Sequence, residues 1–124
     1  MVKRCLLFIE DYPVVQDMYV EVLRKEGFEV HIAPTGEEAL QEAEIKHFDA
    51  VIVDLLLPKM NGVEFLKQYK QLPGSKDAKI IVLTDFDDPR FVKEVHKLGV
   101  QHYWMKVNNT PHELAHKIKE VLSS

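Results

Sequence analysis

The sequence predicts an α/β protein, a parallel five-stranded sheet wound with helices on both faces. Three observations predict it. Short apolar runs recur along the chain with almost no polar alternation, as in strands buried on both sides. Stretches with apolar residues at helical spacing separate those runs. Cap and turn residues mark the boundaries between them. Strands that alternate with helices imply parallel pairing and right-handed crossovers.

The elements follow in order. "CLLFI" (5–9) reads as the first strand, and Val15, Met18 and Val22 mark the first helix, stopped at Gly27. "VHIA" (30–33) is the second strand, followed by a helix with Leu40, Ala43 and Ile45 partly at helical spacing. "AVIV" (50–53) is the third strand, and Val63, Leu66 and Tyr69 define its helix. Pro73-Gly74 marks a loop before "IIVL" (80–83), the fourth strand. Asp88-Pro89 reads as an N-cap followed by Pro at the first helical position, with Phe91, Val95 and Leu98 behind it and Gly99 as the stop. "HYWM" (102–105) is an aromatic-rich fifth strand, and Thr110-Pro111 opens a last helix carrying Leu114, Ile118 and Val121.

The 124 residues match one domain, so 1–124 is expected to be a single unit. A net charge of −4 gives no general pull toward nucleic acid or anionic membrane, and neither is expected as a direct partner. No apolar run approaches the roughly 20 residues that span a bilayer. The start "MVKRCLLFIED" has too short an apolar run for a signal peptide, so a cytoplasmic location is expected. The single cysteine, Cys5, lies inside an apolar run and is read as a buried structural thiol.

"HELAH" (112–116) has the H-E-x-x-H pattern of zinc hydrolases. Its context opposes that reading. At about 100° per residue, His112 and His116 project opposite the apolar stripe of Leu114, Ile118 and Val121, toward solvent. A catalytic zinc takes three protein ligands, and downstream only Glu120 is available, on the same helix face. The remaining histidines, His31, His47, His96 and His102, lie in other elements with no shared ligand spacing. The zinc hydrolase reading is rejected.

In parallel α/β sheets, ligands bind beyond the carboxyl ends of the strands. Glu10 and Asp11 follow the first strand, Asp54 ends the third, Thr84 and Asp85 follow the fourth, and Lys106 follows the fifth. If the strands are ordered 2-1-3-4-5, Glu10, Asp11 and Asp54 converge in one crevice. Two carboxylates about 4–5 Å apart repel by roughly 3–4 kcal/mol at an effective dielectric near 20. Compensating positive charge is therefore expected, and a hard-oxygen donor set favours Mg²⁺ over zinc. Each residue also has a plainer explanation: Asp11 as cap of the first helix, Asp54 as a turn residue, Thr84 as a strand residue, Lys106 as a solvated lysine, Tyr103 as core. Their joint placement at strand ends favours the functional one. No Gly- or Ser/Thr-rich phosphate cradle follows the first strand, which argues against a flavin-type cofactor.

The constellation resembles the receiver domain of two-component response regulators. The motifs are "FIEDYP", "VIVDLLLPKMNG", "IIVLTD" and "HYWMK", and the resemblance covers nearly the whole chain. It implies a flavodoxin-like (βα)5 fold with strand order 2-1-3-4-5. It implies that Asp54 accepts a phosphoryl group from a histidine kinase or histidine phosphotransfer protein. Asp11, Asp54 and the backbone carbonyl of Leu56 would hold Mg²⁺, with Glu10 assisting, and Thr84 and Lys106 would contact phosphoryl oxygens. Tyr103 stands at the family's switch-aromatic position, and helix 4, strand 5 and helix 5 would form the output surface for an unidentified protein.

Three departures from the family pattern carry expectations. Val107 follows Lys106 where proline is usual, so a trans bond and a rearranged "VNNT" loop are expected, because a cis non-proline bond costs about 2.5–4 kcal/mol. Asp85 replaces a small residue and is expected to hinder phosphoryl donors or attacking water. Glu10 replaces the commoner aspartate. The alternative is a degenerate receiver that acts as a phosphorylation-independent interaction module. The chain ends with its fifth helix and holds no output domain, so it is either a stand-alone receiver or one domain of a longer protein.

Overall fold

The computed structural model describes residues 3–123. Five strands alternate with five helices: β1 (Cys5–Ile9), α1 (Pro13–Lys25), β2 (Glu29–Ala33), α2 (Gly36–Ile45), β3 (Ala50–Val53), α3 (Gly62–Tyr69), β4 (Lys79–Thr84), α4 (Pro89–Lys97), β5 (His102–Met105) and α5 (Pro111–Ser123). All pairings are parallel, in the order β2-β1-β3-β4-β5. The expected fold and strand order are both observed.

Each strand sends alternate side chains to opposite faces. Leu7, Ile9, Val51, Val53 and Val82 join a core with Ala39, Val63, Phe65, Leu66 and Val95, from α2, α3 and α4. Leu6, Phe8, Ile52, Ile81 and Leu83 join a second core with Tyr19, Val20, Leu23, Leu114 and Ile118, from α1 and α5. Fully burying one such Leu, Ile or Phe contributes roughly 1.5–3 kcal/mol. The sheet is therefore covered by packed apolar side chains on both faces.

The punctuation behaves as expected. Gly27 and Gly99 end α1 and α4 with φ of 100° and 84°, a region that L side chains rarely adopt. Asp88 caps α4, its carboxylate accepting from Arg90 N at 2.9 Å. Pro73-Gly74 opens a 3₁₀ turn, Pro73–Asp77. Two apolar stripes differ from expectation. The buried side of α1 is Tyr19, Val20 and Leu23, with Met18 half exposed. Ile45 ends α2 at 83% exposure, because the helix terminates there and its face turns outward.

Candidate functional site

Register aligns the strand ends. Ile9 pairs with Val53, Val53 with Val82, and Thr84 with Met105. Glu10 and Asp54 are each one residue beyond a paired position, and their side chains leave neighbouring strands at the same level. Thr84 is the last residue of β4, and Lys106 is the first beyond β5.

Asp54 is the hub. It is buried, with 7% exposure. Its Oδ1 accepts from Thr84 Oγ1 at 2.6 Å and from Leu56 N at 3.0 Å, and its Oδ2 accepts from Lys106 Nζ at 2.6 Å. The Lys106 ammonium also donates to Glu10 Oε1, so one cation bridges two carboxylates. Glu10 Oε2 accepts from Tyr12 N at 3.1 Å, and Gln16 Nε2 holds the Glu10 carbonyl at 2.5 Å. Burial pushes the Glu10 carboxyl above its ordinary value, with the Lys106 contact opposing that rise. Burial pulls the Lys106 ammonium down, but Asp54 and Glu10 outweigh it and the net direction is up. Lys106 is therefore a held cation whose charge offsets two buried acids.

Asp11 does not cap α1: the N-cap is Tyr12, with no side-chain capping bond. Among the described residues, the half-buried Asp11 carboxylate takes no hydrogen bond. Nor do Glu10, Asp11 and Asp54 crowd together; among the described residues they are not a trio with donor atoms within 4.8 Å of one another. Lys106 bonds both Glu10 and Asp54, so the expected compensating positive charge is present between those two acids. With all three acids ionised, the single ammonium leaves the crevice two negative charges. Hard oxygens, one of them unengaged, and a residual charge of that size suit a divalent magnesium ion.

A chain of hydrogen bonds leaves the hub. Thr84 Oγ1 accepts from Phe86 N at 3.2 Å, and the Phe86 carbonyl accepts from the Tyr103 hydroxyl. Tyr103 is half-buried against the core on the α2–α4 side of the sheet. The sequence alone gave no sign that the Phe86 carbonyl connects Thr84 and Tyr103.

The Lys106–Val107 bond is trans, as expected, and Lys106–Asn108 forms a 3₁₀ turn. Asp85 is exposed and accepts from Val107 N at 3.0 Å, tying the ends of β4 and β5 together. No residue spacing announces this role for Asp85, because it depends on the backbone of a loop 22 residues away in sequence. Gly62 is needed by contact distance. A Cβ there would lie 2.4 Å from the Asp54 carbonyl oxygen and 2.7 Å from Leu55 Cα. The first turn of α3 therefore rests directly on the backbone of Asp54 and Leu55.

"HELAH" has structural contacts of its own. Thr110 Oγ1 accepts from Glu113 N at 3.2 Å, and Glu113 Oε1 accepts from Thr110 N at 3.0 Å. The central glutamate thus completes a capping box. His112 and His116 are exposed, and His116 faces Glu120 at 3.2 Å.

Residues 6–119 match the family model described as the response regulator receiver domain. The chain belongs to the response regulator receiver domain family. Among solved receivers, it is similar to a CheY-like protein from Methanospirillum hungatei, with TM-score 0.90 and 30% identity over 98% of this chain and 95% of that one. It is also similar to chemotaxis protein CheY4 of Vibrio cholerae, with TM-score 0.89 and 28% identity over 97% and 99%. Among curated relatives, the receiver is 34% identical to a probable C4-dicarboxylate response regulator of Halalkalibacterium halodurans, over 82% of this chain and 44% of that protein. It is 30% identical to the alkaline phosphatase synthesis regulator PhoP of Bacillus subtilis, over 94% and 48%. The chain spans about half the length of these two curated relatives. Receivers are signalling domains of two-component systems, taking phosphoryl groups from kinases and acting on output partners. No helix among the described residues is long and apolar enough to cross a membrane.

Proposed function

We propose that residues 1–124 act as one phosphoryl-accepting receiver, with Asp54 as the acceptor. An Asp54 carboxylate oxygen attacks phosphorus on a phosphohistidine of a kinase or histidine phosphotransfer protein. The P–O bond forms, the P–N bond breaks, and the leaving imidazole regains a proton. The observation that carries this reading is the hub itself: Asp54 held at 2.6 Å by both Thr84 Oγ1 and Lys106 Nζ, at the carboxyl edge of a receiver sheet. Both donors are positioned for phosphoryl oxygens, where fixed charge and geometry supply most of the catalysis asked of such sites.

Asp11, Asp54 and the Leu56 carbonyl would hold Mg²⁺, with Glu10 assisting. Bound there, the ion would supply neutralising charge for the phosphoryl oxygens. As the phosphoryl group recruits Thr84, the Phe86 backbone follows, and Tyr103 is held inward through its bond to the Phe86 carbonyl. The α4–β5–α5 surface would thereby change its preference for an output protein. The phosphorylation-independent module is the weaker reading, because Thr84 and Lys106 both bond Asp54 and, among the described residues, Asp11 takes no hydrogen bond.

The test is incubation with a small acyl phosphate and Mg²⁺, read by intact mass, on the wild type and Asp54→Asn. The expected result is gain of one phosphoryl group, lost without Mg²⁺ and lost in the variant. No gain in a folded protein that also fails to bind Mg²⁺ would transfer the argument to the interaction module.

A further inference from the structure

At the opposite edge of the sheet, β1 and β2 begin side by side. Cys5 pairs with Glu29 and Leu7 with His31. Glu29 and His31 are two apart on β2, so both face the same way, and Cys5 meets them from β1. Among the described residues, Cys5, Glu29 and His31 are the one trio of metal-ligating side chains whose donor atoms all lie within 4.8 Å of one another. No sequence spacing announces this trio, because it forms across two strands; the apparent isolation of His31 is corrected here.

We propose that Cys5, Glu29 and His31 form a binding site for a borderline-soft divalent metal ion, of which Zn²⁺ is the type. The donors are one thiol, one carboxylate and one imidazole, the mixed set that zinc takes in tetrahedral sites. Donors around a tetrahedral zinc stand roughly 3.2–3.8 Å apart, given bonds of about 2.0–2.3 Å. Cys5 Sγ lies 3.3 Å from Glu29 Oε2, and His31 Nε2 lies 2.8 Å from that same oxygen. Small side-chain adjustments open this triangle around an ion. The other imidazole nitrogen, Nδ1, has Glu42 Oε2 at 3.9 Å, the carboxylate-behind-histidine arrangement that orients metal-bound rings. Phe48 meets the His31 ring edge-on, with centroids 5.5 Å apart.

Charge and access agree. A thiolate, a carboxylate and a neutral imidazole sum to −2, which a divalent ion cancels. On binding, the Cys5 proton now shared with Glu29 leaves to solvent and the sulfur–metal bond replaces it. Cys5 is buried behind His31 and Glu29, whose side chains are 33% and 47% exposed, so the ion enters from solvent and water completes its shell. Two features oppose the site: burial, with Glu29 alongside, pushes the Cys5 thiol up to about 12, and Lys46 Nζ is 3.3 Å from Glu29 Oε2. The ion displaces this exposed ammonium.

The probe is Co²⁺ added to the full chain in saturating Mg²⁺, followed by competition with Zn²⁺. Cys5 is the only cysteine, so a thiolate-to-cobalt charge-transfer band can arise nowhere else. The expected result is one equivalent of Co²⁺ giving that band with intense four-coordinate visible absorption, both removed by Zn²⁺. Cys5→Ser abolishes the band. His31→Gln weakens binding by more than the roughly 10–100-fold typical of losing an outer-shell partner. Lys46→Ala tightens it. Glu29→Gln and His31→Gln, at half-exposed positions, serve as the ligand tests should Cys5→Ser fail to fold. Cobalt bound with only weak oxygen-type absorption, cobalt held by His112 and His116 with no thiolate band, or an undiminished band in both half-exposed variants would each overturn the site.

Discussion

Lys106→Met isolates the electrostatic core of the crevice. The wild-type ammonium contacts Glu10 and Asp54, whose side chains are 2% and 9% exposed. Removing one partner of a buried ion pair costs about 3–5 kcal/mol, because the remaining charge stays buried and unpaired. The Lys106 side chain keeps 17% exposure, so the low end, about 3 kcal/mol at mildly alkaline pH, is the expected loss. The pH dependence has a definite sign. Burial raises the Glu10 carboxyl from its ordinary 4.5, and Lys106 holds that rise down. A group raised on folding favours the folded state below its unfolded value, and loses that contribution as pH climbs through its folded value. Without Lys106 the Glu10 value rises further. The variant should therefore be weakest in alkali and regain stability as pH falls toward 4.5. Lys106 is itself raised, so its own contribution in the wild type is full below 10.5 and lost as pH climbs through its folded value. Urea midpoints measured across pH for wild type, Lys106→Met, Glu10→Gln and the double variant give the coupling directly, expected at about 1–3 kcal/mol. A Lys106→Met loss under about 1 kcal/mol that does not change with pH would refute the bridging role.

Three further outcomes follow from the same contacts. Gly62→Ala forces a methyl group against Asp54 and Leu55 backbone and should cost about 1–3 kcal/mol in urea unfolding while slowing the proposed phosphorylation at Asp54; an unchanged midpoint would contradict the close approach. Thr110→Ala should lose about 1 kcal/mol through the α5 cap, whereas His112→Ala with His116→Ala should stay within about 0.5 kcal/mol of wild type, both read by thermal unfolding. For Asp85, Asn retains an oxygen for Val107 N but removes the charge, and Ala removes both; the tether predicts altered phosphorylation rates in Ala alone, whereas equal effects in Asn and Ala would assign the influence to charge.

The sheet was readable because buried parallel strands appear as uninterrupted apolar runs: "CLLFI" and "AVIV" match β1 and β3 residue for residue, and the aromatic-rich "HYWM" matches the half-buried β5. The crevice was readable for a related reason. The polar residues that end those runs are placed by register, so Glu10, Asp54, Thr84 and Lys106 fall at one edge. Helix faces were harder. Exposed apolar residues near the start of α1, Tyr12, Val14 and Met18, blur its periodicity, and Met18 was assigned to the wrong side. Side-chain reach was not readable at all. Nothing in the order of residues says that Lys106 spans to Glu10, that Asp11 is left without a hydrogen bond, or that Cys5 and His31 meet across β1 and β2.

The contact beneath Asp54 also gives the site a mechanical direction. With no side chain at Gly62, the helix backbone abuts the strand like a wall, and a recoil of Asp54 toward α3 meets incompressible atoms at once. The carboxylate itself is held by Lys106, Leu56 N and Thr84, and of these Thr84 is linked onward by a single hydrogen bond to the loop at Phe86. The hydrogen-bonded route from the carboxylate to Tyr103 runs through Thr84 and Phe86. Glycine at position 62 is thus the anvil on which the Asp54 end of β3 rests.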